Sequence, residues 1–188
     1  MKTLLATLTL LCACGWAAAT PRDAAESDLR RLLEQEVAAS FADEFDATVW
    51  LMDMSARLAP FITNEDERRE ILETVHREAT ASNLKPDLVL ALIQVESRFD
   101  RFAVSSVGAQ GLMQIMPFWK TEIGRPNDNL TDIATNIRYG CRILQFYLHK
   151  EKGNLTRALA RYNGSIGKTW YPNLVFGAWQ KRWLAGDL

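Results

Sequence analysis

Residues 87–97 read DLVLALIQVES, a run that is apolar on nearly every side of a helix. Pro86 precedes this run and suits the first position of a helix, where no amide hydrogen is needed. A helix without a polar face must be buried on all sides. The sequence therefore predicts a central helix that begins at Pro86 and lies in the middle of the core.

Glu96 is the ionisable exception near the end of this helix. It follows Leu92 by four residues and Ile93 by three, so its side chain projects from an apolar face. Burial disfavours the charged form of a carboxylate and raises its pKa above the usual value of about 4.3. The alternative from position alone is that Glu96 lies in the last turn and reaches water.

The segment after this helix is polar, uncharged and tightly turning. Residues 102–117 read FAVSSVGAQGLMQIMP, in which Gly108 and Gly111 interrupt any helical pattern. This composition does not fit a membrane span. It predicts a short irregular or β-like stretch around residues 101–115.

Helical periodicity dominates the rest of the chain, which predicts a mainly α fold. A first amphipathic helix is marked by Leu29, Leu32, Leu33 and Val37. A second runs from Phe45 to Leu58, and a third begins after the capping residue Asn64, with Glu67 three residues on, and continues to Ala81. A further helix is predicted over 133–150, with Cys141 on its apolar face as a buried thiol and His149 on the surface of its last turn.

Composition fits a soluble globular domain and excludes several other classes. The chain has 188 residues, 48% of them hydrophobic and 24% charged, which is not the composition of a fibre or a multi-span membrane protein. With 22 basic and 23 acidic side chains, no overall positive field would attract nucleic acid.

The charges are unevenly distributed along the chain. Residues 21–80 carry 7 basic and 15 acidic side chains, whereas residues 133–188 carry 9 basic and 2 acidic ones. One interpretation is that an acidic helical layer docks on a basic one within the monomer. The other is that a basic face stays free for an anionic partner such as a membrane surface or a cell-wall polymer.

The first nineteen residues have the pattern of a secretory signal. Lys2 precedes an uncharged apolar run from Leu4 to Gly15, followed by small residues up to Ala19. The string LCACG at 11–15 resembles a lipoprotein cleavage box with Cys14 as the lipidated residue. The alternatives are an exported soluble protein and a lipid-anchored one.

Four ordered blocks together resemble a known family. They are the pair ES at 96–97 followed by AVSSVGAQGLMQIMP, NIRYGCRIL at 136–144, ALARYNGS at 158–165 and YPNLV at 171–175. These blocks are similar to the lytic transglycosylases of the soluble, goose-lysozyme-like type. The resemblance implies a lysozyme-like α+β fold for residues 84–188, and we interpret residues 20–83 as an N-terminal helical cover.

The resemblance also implies the site. Glu96 takes the position of the acid and base, and Tyr162 is expected beside it with its hydroxyl bonded to the carboxylate, although packing in the core is the alternative. The residues expected to bind saccharide are Ser105, Gln114, Met116, Tyr162, Asn163 and Tyr171. The chain departs from the family pattern at Asp100-Arg101 and at Arg161 with Gly164-Ser165, which puts sugar contacts in doubt more than the acid.

The expected chemistry needs one carboxylate. No Asp or Glu occurs from Arg101 through Thr121, whereas most glycosidases use a pair. One glutamate suffices if it protonates the leaving oxygen and then deprotonates the 6-hydroxyl of the muramic acid residue, which closes a 1,6-anhydro ring. The alternatives are a hydrolytic muramidase, with Asp128 or Asp132 as second carboxylate, and a non-catalytic glycan-binding or scaffold protein of an envelope-spanning assembly.

The sequence predicts no cofactor. His76 and His149 are the only histidines, and no Cys and His cluster has metal-ligand spacing, so no metal site is expected. The expected partner is the peptidoglycan glycan strand, bound by a monomer in the periplasm of a Gram-negative bacterium. Recruitment by envelope machinery stays open.

Overall fold

The structure, a computed structural model, describes residues 44–184, with side chains from Thr48 onward. The helices of this part are α1 (Glu44–Leu58), α2 (Glu65–Ala81), α3 (Pro86–Ser97), α4 (Trp119–Ile123), α5 (Ile133–Lys150), α6 (Leu155–Tyr162) and α7 (Trp170–Ala178), followed by a π-helical turn (Trp179–Trp183). The mainly α prediction is confirmed. The predicted signal segment and the helix around Leu29–Val37 lie outside the described residues.

The central helix is α3, as predicted. Its residues from Leu88 through Ile93 are at most 3% exposed. Helices α2 and α7 and the π-helical turn pack against it. Pro86 occupies the first turn, and the helix ends at Arg98, which has a left-handed backbone with φ of 54°. The apolar character of this segment therefore places its first two turns in the core, and its last turn, with Glu96, is half-buried.

Helices α1 and α2 share this core. The side chain of Asn64 accepts a hydrogen bond from the Glu67 amide at 2.9 Å, which confirms the predicted cap of α2. Met54 and Leu58 of α1 and Ile71 of α2 are fully buried in the same cluster as the residues of α3. These helices therefore contribute to one hydrophobic core with the rest of the described chain.

Helix α5 packs between α2 and α6. Asp132 caps it by accepting a hydrogen bond from the Thr135 amide at 2.8 Å. Cys141 is fully buried, and burial raises the pKa of its thiol, which confirms the predicted inert cysteine. His149 is exposed in the last turn, also as predicted. None of the described helices is long and apolar enough to cross a bilayer.

The π-helical turn fixes the end of the described chain to α3. Trp183 is fully buried, and its indole Nε1 donates to the side-chain oxygen of Gln94 at 2.7 Å. Gln94 lies two residues before Glu96, so this bond holds the last turn of α3.

Candidate active site

Glu96 lies half-buried in the last turn of α3. The hydroxyl of Tyr171, from the first turn of α7, donates a hydrogen bond to its carboxylate Oε1. Burial raises the pKa of Glu96 to about 7, and the Tyr171 hydrogen bond opposes that rise because it favours the charged form. The predicted upward shift is confirmed, and the carboxyl holds a proton over part of the neutral range.

The chain turns sharply after Glu96. Arg98 and Phe99 both have left-handed backbones, with φ of 54° and 68°. The hydroxyl of Ser97 donates to the Leu112 carbonyl at 2.7 Å, so the residue next to Glu96 joins α3 to the polar segment. This segment contains two isolated antiparallel bridges, Val104 with Gln110 and Gln110 with Ile115, which confirms the predicted β-like stretch.

Asn136 of α5 holds the polar segment through hydrogen bonds to backbone groups. Its side chain accepts from the Met113 amide at 2.7 Å and donates to the carbonyls of Gln110 at 2.9 Å and Leu130 at 2.7 Å. Gly111 has φ of +75°, and a Cβ there would lie 2.3 Å from the Leu130 carbonyl oxygen. Glycine is therefore required at this position. Asn136 begins one of the four sequence blocks, but nothing in the sequence alone indicates this role.

Ser105 and Gln114, two of the predicted saccharide contacts, also support the segment itself. The Ser105 hydroxyl accepts from the Ala109 amide at 3.0 Å. The Gln114 side-chain nitrogen donates to the carbonyls of Gly111 at 2.9 Å and Ala103 at 3.2 Å. The side-chain oxygen of Gln114 accepts no hydrogen bond from residues 44–184, so it is available to an external donor.

The expected hydrogen bond between Tyr162 and Glu96 is wrong. The Tyr162 hydroxyl instead donates to the Met113 carbonyl at 2.8 Å, because α6 ends over the polar segment and not over α3. Burial, and next the Glu96 carboxylate, raise the pKa of Tyr162. Tyr171 occupies the position that the sequence analysis gave to Tyr162.

Met116 and Asn163 are the remaining predicted saccharide contacts. Met116 is half-buried, and Asn163 is exposed at the C-terminal cap of α6. The polar segment also leaves large apolar side chains in solvent. These are Phe102 at 67%, Val104 at 65%, Val107 at 73% and Phe118 at 54% exposure.

The two aspartates considered as a second carboxylate are both engaged elsewhere. Asp128 accepts hydrogen bonds from the Tyr139 hydroxyl at 2.6 Å and the Arg125 amide at 3.1 Å, and both lower the pKa of Asp128. Asp132 caps α5. Over residues 44–184, no group of three His, Cys, Asp or Glu side chains could hold a metal ion.

A mainly α domain whose buried central helix ends in a half-buried glutamate with a raised pKa, beside a polar turn, has a lysozyme-like architecture. Residues 73–174, more than half of the chain, match the family model described as the Transglycosylase SLT domain. The chain belongs to this family.

Named relatives are similar over part of their length. The chain is 34% identical to a transglycosylase of Enterobacteria phage PRD1 over 56% of this chain and 44% of that protein. It is 31% identical to membrane-bound lytic murein transglycosylase C of Yersinia enterocolitica over 51% of this chain and 31% of the relative. It is 28% identical to the soluble lytic murein transglycosylase of Escherichia coli over 74% of this chain and 23% of that protein. The chain therefore spans less than half the length of these relatives.

A solved structure of an inactive mutant of lytic transglycosylase Slt from Pseudomonas aeruginosa is also similar. It is 34% identical, with 50% of this chain and 16% of that chain covered and a TM-score of 0.45.

Proposed function

We propose that this chain is a peptidoglycan lytic transglycosylase that cleaves the β-1,4 bond between N-acetylmuramic acid and N-acetylglucosamine and leaves 1,6-anhydromuramic acid ends. The observation that carries this proposal is the environment of Glu96. It is a half-buried carboxyl with a pKa near 7 whose hydrogen-bond partner is a neutral tyrosine hydroxyl. A general acid works best when its pKa lies near the working pH.

The proposed reaction uses Glu96 twice. The carboxyl first transfers its proton to the glycosidic oxygen, and the bond from that oxygen to C1 of the muramic acid breaks. The resulting carboxylate then accepts the proton of the 6-hydroxyl while O6 forms a bond to C1. Glu96 ends protonated, and no water is consumed. Because the nucleophile belongs to the same sugar, its effective molarity is high.

The hydrolytic alternative needs a second carboxylate to hold a water molecule. Asp128 and Asp132, its two candidates, are engaged by Tyr139 and by the α5 amides. Burial raises the pKa of Glu96 against the opposing Tyr171 hydrogen bond, and no second carboxylate of the described residues contributes to the shift. These observations favour the mechanism with one glutamate.

The proposed organisation follows from the same function. A signal over residues 1–19 would export the chain to the periplasm, where its glycan substrate lies, with lipidation at Cys14 as an alternative anchor. Residues 20–83 would be an N-terminal extension that precedes the transglycosylase domain of residues 84–188. Two of the relatives named above are called membrane-bound and soluble murein transglycosylases, which supports an envelope location.

The experiment is digestion of purified cell-wall sacculi followed by mass spectrometry of the released muropeptides. The proposal predicts anhydro ends, one water lighter than hydrolysis products. Glu96→Gln should abolish release, whereas Glu65→Gln, at an exposed glutamate of α2, should digest normally. Products with reducing ends alone would replace this proposal with the muramidase alternative.

A further inference from the structure

A second concave site lies between the end of α5, helix α6 and the loop that leads into α7. It has a volume of about 260 Å³, and its polar walls include Glu151, Arg157, Arg161, Lys168 and Thr169. We propose that this pocket binds the carboxylates of the peptide stem carried by the muramic acid residue. The inference rests on the proposed function for its substrate, and on the following observations for its chemistry.

The pocket is positively charged around a buried carboxylate. The Glu151 side chain is 5% exposed and accepts hydrogen bonds from Nε of both Arg157 and Arg161. These two guanidinium groups lower the pKa of Glu151, so it stays ionised at neutral pH. The pocket is therefore lined by three cationic side chains, those of Arg157, Arg161 and Lys168, and by the anionic side chain of Glu151. It carries an excess of positive charge.

Glu151 does not occupy all the hydrogen-bond donors that line this pocket. Each arginine contacts the carboxylate through Nε, and the terminal guanidinium nitrogens bond to nothing else in residues 44–184. Lys168 is exposed and makes no ion pair within the same residues. A cavity that offers free N–H donors and excess positive charge fits a carboxylate or a phosphate group.

The pocket shares its chain segments with the candidate active site. Arg161 is followed directly by Tyr162, whose hydroxyl holds the Met113 carbonyl. Thr169 lies two residues before Tyr171, the hydrogen-bond partner of Glu96, which is at most about 8 Å of chain. The proposal therefore places the pocket within reach of a stem attached to the sugar at Glu96, and peptidoglycan stems carry several carboxylates.

An alternative is that the ion pairs of Glu151 with Arg157 and Arg161 serve only to hold α6 against the end of α5. Lys168 separates the two explanations, because it contacts neither Glu151 nor any other acid in the described part of the chain. A structural tie would not depend on Lys168, whereas an anion site would. Arg142, an exposed cation of α5 outside the pocket, provides a matched control for the reversal of one charge.

The experiment is calorimetric titration of the whole chain with a synthetic stem tetrapeptide that has free carboxylates. The same titration is repeated with its fully amidated analogue and with inorganic phosphate. We expect the free tetrapeptide to bind and to bind more weakly as salt is raised, and the amidated analogue not to bind. Lys168→Glu should weaken tetrapeptide binding at least about tenfold, whereas Arg142→Glu should change it less than about twofold.

The inference would be overturned by no tetrapeptide binding, by equal binding of the amidated analogue, or by binding that Lys168→Glu leaves unchanged. Tighter binding of phosphate than of tetrapeptide would assign the pocket to a phosphate group and would overturn the stem assignment. The titration needs no cleavage, so its failure is distinct from a failure of the proposed enzyme activity. In sacculus digestion, Lys168→Glu should raise KM for stem-bearing walls relative to amidase-stripped glycan strands.

Discussion

Glu96 and Glu151 are two poorly exposed glutamates at the ends of two helices, and their pKa values move in opposite directions. Glu96 closes α3 and is bonded by a neutral tyrosine hydroxyl, so burial dominates and its pKa rises to about 7. Glu151 caps α5 between two guanidinium groups, which lower its pKa. The difference shows that the charge of the partner, and not burial alone, decides which carboxyl can act as an acid at neutral pH.

The largest expected effect comes from removing the titratable group. Glu96→Gln keeps the shape of the side chain and its capacity to accept from Tyr171 but holds no transferable proton. We expect the rate of glycan cleavage to fall by roughly a hundredfold or more, with an unchanged circular dichroism spectrum. A variant that digests sacculi at the parental rate would remove Glu96 from the mechanism.

The second prediction concerns stability as a function of pH. Because the pKa of Glu96 is 4.5 ordinarily and about 7 in the folded chain, the folded state binds more protons than the unfolded state between these values. The free energy of unfolding should therefore decrease as pH rises through this window, by about 1 to 3 kcal/mol. Denaturant titrations should show this slope in the parent and lose it in Glu96→Gln.

Glu151 should show the opposite sign in a lower pH range. Its pKa is lowered from 4.5 by Arg161 and Arg157, so its contribution to stability is present above pH 4.5 and is lost as pH falls through the folded value. Glu96→Gln should leave this acid-side loss intact. If Glu96→Gln removed both the neutral-range slope and the acid-side loss of stability, the titrations of the two glutamates would be coupled. The contrast drawn between Glu96 and Glu151 would then be wrong.

The third prediction concerns the Tyr171 hydroxyl. Tyr171→Phe removes a hydrogen bond that favours the charged form of Glu96, so the pKa of Glu96 should rise further. We expect about tenfold slower cleavage at neutral pH, since a lost hydrogen bond to a charged group costs about 1.5 kcal/mol or more. The alkaline limb of the pH–rate profile should move upward. A profile with an unshifted limb would contradict the assigned bond.

The smallest effect on cleavage is expected for Tyr162→Phe, which is the matched control for Tyr171→Phe. Its hydroxyl holds the Met113 carbonyl, so the loss should appear as about 1 kcal/mol of stability. Cleavage at a temperature well below unfolding should change less than about threefold. If Tyr162→Phe lost more activity than Tyr171→Phe, the roles assigned to the two tyrosines would have to be exchanged.

The fold could be predicted well because its signals are local. The apolar run before Glu96, the Asn64 cap and the glycines of the polar segment each act through neighbouring residues. The upward pKa shift of Glu96 could also be predicted, since it depends on the helical face that carries the side chain. The local sequence pattern was therefore sufficient to predict the helices and the position of Glu96.

The partners within the site could not be predicted, because they depend on how distant segments meet. Tyr162 and Tyr171 lie nine residues apart, on α6 and α7, and the sequence does not show which hydroxyl reaches Glu96. The bonds from Asn136 to three backbone groups and the pairing of Glu151 with two arginines likewise join separate elements. Which neighbour a side chain bonds to, when several lie close in the fold, can be determined only from the packed structure.

Carbon-detected NMR titration of the glutamate side chains tests the central claim most directly, because it observes Glu96 and Glu151 in the same sample. Assignment uses Glu96→Gln and Glu151→Gln, each of which removes one resonance. The account predicts that the Glu96 carboxyl titrates near pH 7 and that the Glu151 carboxyl titrates below 4.5. A Glu96 resonance that titrates near 4.5, together with Glu151, would contradict it.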